Sequence, residues 1–147
     1  MVAVRMDSEI QKLKDLTGKM IAVQETSKAE EYFLRSDFEG IPDVSLVYCF
    51  SNMDEVFAAL RKNYVEAICG HESALISFIN TAPDEYRLLE ESFLYSALGV
   101  AFDIQYDEEF VEELVKTLVD MMNDGTTAAI VGKYGLDAEK SLGRGND

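Results

Sequence analysis

Polar side chains suited to binding a small anion or a polar solute occur in three short segments of this 147-residue chain. Each segment follows an apolar run typical of a buried strand and opens a stretch of helical spacing. The free N–H groups and positive dipole end of a helix N-terminus favour a carboxylate or phosphate there, and Lys28 would add a local positive charge. The candidate binding residues are Glu25, Thr26, Ser27 and Lys28 after the first run, Ser51 and Asn52 after the second, and His71 and Glu72 after the third.

The same residues have simpler structural interpretations, which stay open at this point. Ser27 and Ser51 are both suited to cap the helix that follows, and capping alone accounts for a hydroxyl at that position. His71 is the single histidine of the chain, and a loop histidine is commonly solvated or hydrogen-bonded locally. A thiolate–imidazole pair between Cys69 and His71 is not indicated, since no third group is apparent that would orient the imidazole. We therefore predict binding residues and no catalytic residue.

Charge and cysteine content exclude several classes of partner and cofactor. The chain has 28 Asp and Glu against 13 Lys and Arg, a formal net charge of −15, which repels nucleic acids and anionic membranes. Two cysteines and one histidine are too few for a zinc site, so no metal and no other cofactor are expected. Cys49 and Cys69 lie in apolar runs, where buried free thiols are the usual outcome. The sequence has no G-x-S-x-G, P-loop or G-x-G-x-x-G motif.

Short apolar runs alternate with stretches of helical spacing along most of the chain, which indicates an α/β fold with a mainly parallel sheet flanked by helices. Ligands bind outside the carboxyl ends of parallel strands, so the three polar segments are expected to meet at one edge of the sheet. The predicted strands are 2–5, 20–24, 44–50, 65–69, 87–90 and 98–102, and the predicted helices are 7–16, 28–33, 52–63, 72–79, 107–123 and 126–134.

Three stretches in this order resemble the family 3 extracellular solute-binding proteins of amino-acid ABC transporters. They are LTGKMIAVQETSKAEEYF at Leu16–Phe33, MDEVFAALRKNYVEAICGHESAL at Met53–Leu75, and the stretch from Leu98 to Gly135 that ends in DGTTAAIVGKYG. The resemblance implies one lobe of a periplasmic-binding-protein type II fold. Residues 1–135 would form lobe two with its C-terminal helices and residues 136–147 a flexible tail, while lobe one would be absent from this chain.

The resemblance also implies a function. Such a protein binds a small polar solute, an amino acid or a related compound, without catalysis and delivers it to the permease of an ABC importer. It works in the periplasm or outside the cell, free or membrane-anchored in the full-length protein. Two alternatives stay open, a ligand-sensing module of a membrane signalling receptor and a dehydratase-like enzyme of the same fold. Apolar surface left uncovered without lobe one would favour a homodimer of this chain.

Two positions depart from the family pattern. Thr26-Ser27 stands where the family has Gly-Thr, which replaces a flexible glycine by a β-branched residue. His71 stands where the family has the aspartate that pairs with the α-ammonium group of an amino acid, and a histidine does not supply that negative charge. Glu72 is adjacent and offers a carboxylate from a different direction. We therefore expect a ligand other than an ordinary α-amino acid, or a site that has lost binding.

Overall fold

The computed structural model of the chain describes residues 1–35, 40, 42–94, 99–103 and 105–142. The chain divides into two compact units, Met1–Tyr95 and Ser96–Asp147, here the first and second unit. The first unit contains strands β1 Val2–Arg5, β2 Met20–Gln24, β3 Leu46–Phe50, β4 Ala67–Cys69 and β5 Tyr86–Leu88, helices α1 Lys28–Leu34, α2 Met53–Arg61 and α3 Glu72–Ile79, and a 3₁₀ turn at Leu13–Leu16. The second unit contains α4 Glu108–Asn123, α5 Thr126–Lys133 and α6 Ala138–Ser141.

The five strands form one sheet in the order β3-β2-β4-β1-β5. Strand β2 pairs in parallel with both β3 and β4, whereas β1 is antiparallel to β4 and to β5. Since β4 and β5 are both antiparallel to β1, strands β2, β3, β4 and β5 all run in one direction, and the predicted mainly parallel α/β sheet is confirmed. Because β2, β3 and β4 run in the same direction, their carboxyl ends lie at one edge of the sheet, called the carboxyl edge below.

Alternation along the strands separates two cores, one on each face of the sheet. Val2, Val4, Val23 and Cys69 lie in the core that α1 covers, where Tyr32 of α1 is also buried. The neighbouring strand residues Ala3, Ala22 and Ile68 lie in the opposite core, with the buried residues Val56 and Leu60 of α2 and Leu75 and Phe78 of α3. The strands are nearly uninterrupted apolar runs because both of their faces are covered.

The predicted helix at 7–16 is wrong except for the 3₁₀ turn at its end. Ser8 Oγ accepts a hydrogen bond from the N–H of Ile10, and the Asp15 carboxylate accepts from the N–H groups of Gln11 and Lys12. The Nη2 of Arg87 on β5 donates hydrogen bonds to the carbonyl groups of Ser8 and Ile10, at 2.9 and 2.8 Å. These bonds compete with the i to i+4 bonds of a helix. The bonds to Asp15 also lower the pKa of its carboxyl group.

One expectation near the C-terminus, the strand at 98–102, also needs correction. Residues 99–102 belong to no strand, and Val100 is exposed, while Leu98 lies outside the described residues. The segment predicted as a tail contains α6, whose N-cap Asp137 accepts a hydrogen bond from the N–H of Lys140 at 3.0 Å. Residues 143–147 lie outside the described part of the chain. None of the described helices combines the length and the apolar character needed to cross a membrane.

Helix α4 confirms the predicted amphipathic helix, with Asp107 as its N-cap. The Asp107 carboxylate accepts from the N–H of Glu109 at 3.0 Å, so this aspartate begins the helix. None of the residues of α4 is buried, and its apolar stripe is exposed or half-buried. Gly125 adopts φ +86°, a left-handed conformation that lets the chain turn directly from α4 into α5.

Candidate functional site

The structure brings the three polar segments together at the carboxyl edge, as the sequence predicts for their backbone. Gln24 and Phe50 are register partners at the ends of β2 and β3. The N–H of Glu25 donates to the carbonyl of Phe50 at 2.8 Å, which ties the first connection to the end of the neighbouring strand. Strand β4 lies on the other side of β2, and its connection to α3 begins at Gly70.

The connection from β2 to α1 is organised around Ser27. Its Oγ accepts from the N–H of Glu30 at 3.2 Å and donates to the carbonyl of Gln24 at 2.6 Å, so Ser27 is the N-cap of α1. The Glu30 carboxylate accepts from the N–H of Thr26 at 2.7 Å, one residue before the cap. The side chains of Ser27 and Glu30 thus accept from the N–H groups of Glu30 and Thr26, in an arrangement similar to a capping box.

Thr26 keeps the backbone conformation that a glycine would favour. Its φ is +58°, in the left-handed region, where an L-residue is less stable by roughly 1–2 kcal/mol. The hydrogen bond to Glu30 and a second bond from Thr26 Oγ1 to the carbonyl of Glu25, at 2.7 Å, hold the residue there. Thr26 therefore combines a β-branched side chain with a backbone conformation that glycine adopts without strain.

The side chain of Lys28 forms an ion pair within its own helix, α1. Its Nζ lies 2.6 Å from a carboxylate oxygen of Glu31, and Arg35 binds the other oxygen of the same carboxylate at 2.8 Å. The hydrogen bond and the positive charge of Lys28 lower the pKa of the Glu31 carboxyl group. The ammonium group of Lys28 thus pairs within α1, where the one carboxylate of Glu31 is shared by Lys28 and Arg35.

The N-cap of α2 is Asn52, and the prediction of Ser51 as the cap is wrong. Asn52 Oδ1 accepts from the N–H of Glu55 at 3.0 Å because the helix begins at Met53, one residue later than a Ser51 cap requires. Ser51 instead donates both its Oγ–H, at 3.0 Å, and its N–H, at 3.2 Å, to the carboxylate of Glu55. Ser51 and Asn52 are both exposed.

The connection from β4 to α3 contains Gly70 and His71, with Glu72 as the first residue of the helix. His71 is the N-cap and is exposed, and its side chain makes no capping hydrogen bond. A Cβ at Gly70 would lie 3.1 Å from the Met53 Cε, so the glycine allows this connection to pack closely against the start of α2. Glu72 is half-buried.

Neither thiol near this edge is ionised at neutral pH. Burial raises the pKa of Cys69 to about 12, which rules out a thiolate–imidazole pair with His71 at that pH. Cys49 is half-buried, and burial together with a hydrogen bond to Glu30 raises its pKa to about 11. No group of three or more His, Cys, Asp or Glu side chains among the described residues is arranged to hold a metal ion.

Glu30 and Glu55 are the residues at this edge that the list of candidate binding residues omits. Each is the third residue of its helix and accepts hydrogen bonds from the connection before it. The spacing Ser27-x-x-Glu30 and Asn52-x-x-Glu55 is the sequence signal, since a glutamate three residues after a cap commonly reaches back to it. This signal marks a capping residue and does not by itself mark a residue near a ligand.

A mainly parallel sheet that gathers three strand-to-helix connections at one edge defines the class: a lobe of the periplasmic-binding-protein type II fold. Residues 1–141 match the model of a family described as ABC transporter, phosphonate, periplasmic substrate-binding protein. The chain therefore belongs to this family of periplasmic substrate-binding proteins. No curated protein matches it significantly.

Solved structures agree with this assignment. An ancestral arginine-binding protein bound to arginine is 26% identical, with TM-score 0.68 over 90% of this chain and 58% of that one. The substrate-binding protein of an amino acid ABC transporter is 28% identical, with TM-score 0.52 over 60% of this chain and 36% of that one. The cysteine-binding protein from Campylobacter jejuni is 20% identical and similar in fold, with TM-score 0.68 over 95% of this chain and 56% of that one.

These matches confirm the resemblance to solute-binding proteins of amino-acid ABC transporters. The chain spans between 36% and 58% of the length of these three proteins. The matching family is described as a periplasmic substrate-binding protein, and the compared structures are of binding proteins.

Proposed function

We propose that this chain forms the second lobe of a substrate-binding protein that binds a small polar solute and delivers it to the permease of an ABC importer. The observation that carries this proposal is the meeting of three strand-to-helix connections at one edge of a mainly parallel sheet. Such an edge presents backbone donors and short polar side chains to a ligand. The family match over residues 1–141 supports it.

In the proposed protein, the second half of the binding site lies on a first lobe, which closes over the ligand by hinge motion. Residues 1–135 supply the second lobe and the C-terminal helices in this proposal. A single lobe makes about half of the contacts, so we expect millimolar affinity from this chain alone, equivalent to about 4 kcal/mol of binding free energy. The intact protein works outside the cytoplasm, free or attached to the membrane, and has no catalytic activity.

The proposed ligand is an amino acid or a related polar compound. The arginine-binding relative supports an amino-acid-like solute. His71, however, offers no negative charge where the family pattern has an aspartate, so the α-ammonium group of an ordinary amino acid has no partner at this position. We therefore propose that the ligand differs from an ordinary α-amino acid in the group that faces His71.

NMR titration of the ¹⁵N-labelled chain with arginine, glutamine, cysteine and methylphosphonate tests the proposed function. Methylphosphonate, which has no α-ammonium group, is expected to shift the amide signals of Glu25–Ser27, Ser51–Asn52 and Gly70–Glu72 in a saturable way, and more strongly than the three α-amino acids, whose ammonium group has no partner at His71. His71→Ala should weaken that binding about tenfold, the effect of roughly 1.4 kcal/mol. Glu112→Ala in α4 is the control and should leave it unchanged. Shifts spread over α4, or none at the carboxyl edge with any probe, would contradict the proposal.

We also propose that copies of this chain associate through α4 when the first lobe is absent. The apolar side chains Phe110, Val115, Leu118 and Val119 of this helix are between 42% and 54% exposed, which supports the proposal. Sedimentation velocity at increasing concentration should show a dimer. Val115→Asp should shift the equilibrium to monomer, and Thr117→Asp on the same helix serves as its charge-matched control. A chain that stays monomeric at high concentration would contradict this proposal.

A further inference from the structure

Residues 89–94, called the exit segment below, follow β5 and come before the second unit in the sequence. Strand β5 runs in the same direction as β4, so this segment leaves the sheet at the carboxyl edge. The N–H of Leu89 donates to the carbonyl of Val2 at 3.0 Å. The Glu91 carboxylate accepts from the N–H of Leu13 at 2.8 Å. These bonds hold the beginning of the exit segment to β1 and to the 3₁₀ turn.

Aromatic contacts hold the end of the exit segment to helix α1. The ring centroid of Phe93 lies 4.9 Å from that of Tyr32 and 5.6 Å from that of Phe33. Tyr32 and Phe33 are both buried, and their own rings meet edge to face at 5.0 Å. Phe93 is half-buried. The three rings form one aromatic cluster, in which Phe93 is the member that does not belong to α1.

Helix α1 also begins at the first polar connection of the carboxyl edge. Ser27 is its N-cap, and Glu30 accepts from the N–H of Thr26 at 2.7 Å. The helix has seven residues, about 10 Å in length, so its first turn and the aromatic residues near its end move together. Protein interiors are closely packed and transmit small displacements. A shift of the first connection should therefore reach the ring of Phe93.

The exit segment packs on one face of the sheet only. Leu89, Phe93 and Leu94 all lie in or against the core that α1 covers. Helices α2 and α3, which follow the second and third connections, cover the opposite core. Among the described residues, the exit segment thus contacts the helix of the first connection, and the sheet lies between it and the helices of the other two.

We infer that Phe93 is a positioning residue, which couples the first connection to the exit segment through Tyr32 and Phe33. A solute that binds at the carboxyl edge and moves α1 consequently moves the exit segment with it. This inference rests on the proposed function, because closure over a solute changes the backbone of segments that follow the ends of strands. It assigns the coupling to a single aromatic contact, and such an assignment requires a measurement of coupling.

The first test needs no ligand and uses the N-cap of α1 to perturb this helix. In the ¹⁵N-labelled full chain, Ser27→Ala should shift the amide signals of Glu91 and Leu94. When Phe93→Ala is also present, the shifts caused by Ser27→Ala should be reduced about threefold or more, the non-additivity expected of coupled residues. Asn52→Ala is the matched control, because it removes the N-cap of α2 on the opposite face and should leave the exit segment unchanged.

The second test uses methylphosphonate as the probe. In the unmodified chain it should shift the amide signals of Glu91 and Leu94 together with that of Thr26. Phe93→Ala should retain the response at Thr26 and lose the response in the exit segment, whereas Phe93→Tyr keeps the ring and should restore it. Circular dichroism verifies that each variant is folded. Phe93→Leu, which keeps an apolar side chain without a ring, provides the test if Phe93→Ala does not fold.

The outcomes separate this inference from the proposed function. Equal shifts of the exit segment by Ser27→Ala, with and without Phe93→Ala, would overturn the inference, and so would the absence of any shift there. Methylphosphonate that shifts the carboxyl edge but not the exit segment would overturn the inference and support solute binding. If no probe shifts the carboxyl edge, yet Phe93→Ala abolishes the effect of Ser27→Ala, the coupling is supported and the proposed function is contradicted.

Discussion

Arg87 joins β5 to the segment that follows β1, and its removal should destabilise the first unit. Its Nη2 donates to the carbonyl groups of Ser8 and Ile10 at 2.9 and 2.8 Å. Hydrogen bonds to a charged group contribute roughly 1.5–3 kcal/mol each when buried. Arg87 is half-buried, and water replaces part of each bond after substitution, so we predict that Arg87→Met lowers the free energy of unfolding by about 2–3 kcal/mol.

Urea unfolding followed by far-UV circular dichroism measures this loss, and hydrogen exchange at the amides of Ala3 and Ile68 assigns it to the first unit. Arg35→Met is the matched control, because Arg35 makes a single exposed ion pair with Glu31 at 2.8 Å. Such a pair is worth about 0.5 kcal/mol or less. Equal losses for the two substitutions, or a loss below about 0.5 kcal/mol at Arg87, would refute the assignment of Arg87 as an anchor.

Three further predictions concern the carboxyl edge and its core. Asn52→Ala should lower the free energy of unfolding by about 1 kcal/mol, because it removes the N-cap of α2. If the same urea titration shows a larger loss in Ser51→Ala, the assignment of Asn52 as the cap is contradicted. Thr26→Gly should raise the free energy of unfolding by about 1 kcal/mol, since glycine adopts the left-handed conformation without strain. A lower free energy of unfolding in this variant would show that the lost hydrogen bond from the Thr26 hydroxyl to the Glu25 carbonyl outweighs the relief of strain. The Cys69 thiol loses its proton from about pH 9 in the unfolded chain, but only near pH 12 in the folded one. The free energy of unfolding should therefore fall across this window, by up to about 1.4 kcal/mol per pH unit. Urea titrations at pH 8, 10 and 11 should show a smaller fall with pH in Cys69→Ala.

The sheet could be predicted from the sequence because its strands are apolar on both faces. The run Met20–Gln24 is bounded by Gly18-Lys19 and by polar residues, and it forms β2 with the predicted limits. The same reasoning fails for residues 7–16, where the helix period of Ile10, Leu13 and Leu16 is present. Ser8 and Asp15 bind nearby N–H groups there, and Arg87, far away in the sequence, binds two carbonyl groups that no local pattern connects with it.

The approximate place of the candidate site could also be predicted, but not its hydrogen bonds. Adjacent Ser51 and Asn52 are both good N-caps, and the choice depends on where the backbone leaves β3, which the sequence does not fix to one residue. Glu55 follows each of them at a spacing that permits a capping bond. The structure resolves the ambiguity by giving Glu55 a different bond to each residue, its N–H to Asn52 and its carboxylate to Ser51.

Charge at the carboxyl edge depends on which side chains pair within each helix. Lys28 lies next to the first connection in the sequence, yet its ammonium group binds Glu31 one turn later. Glu30 belongs to the same helix, yet its carboxylate reaches back to Thr26. The first connection therefore has a carboxylate on its donor although a lysine precedes that glutamate by only two residues. The charge at this connection therefore depends on how these three side chains pair, which residue types alone do not show.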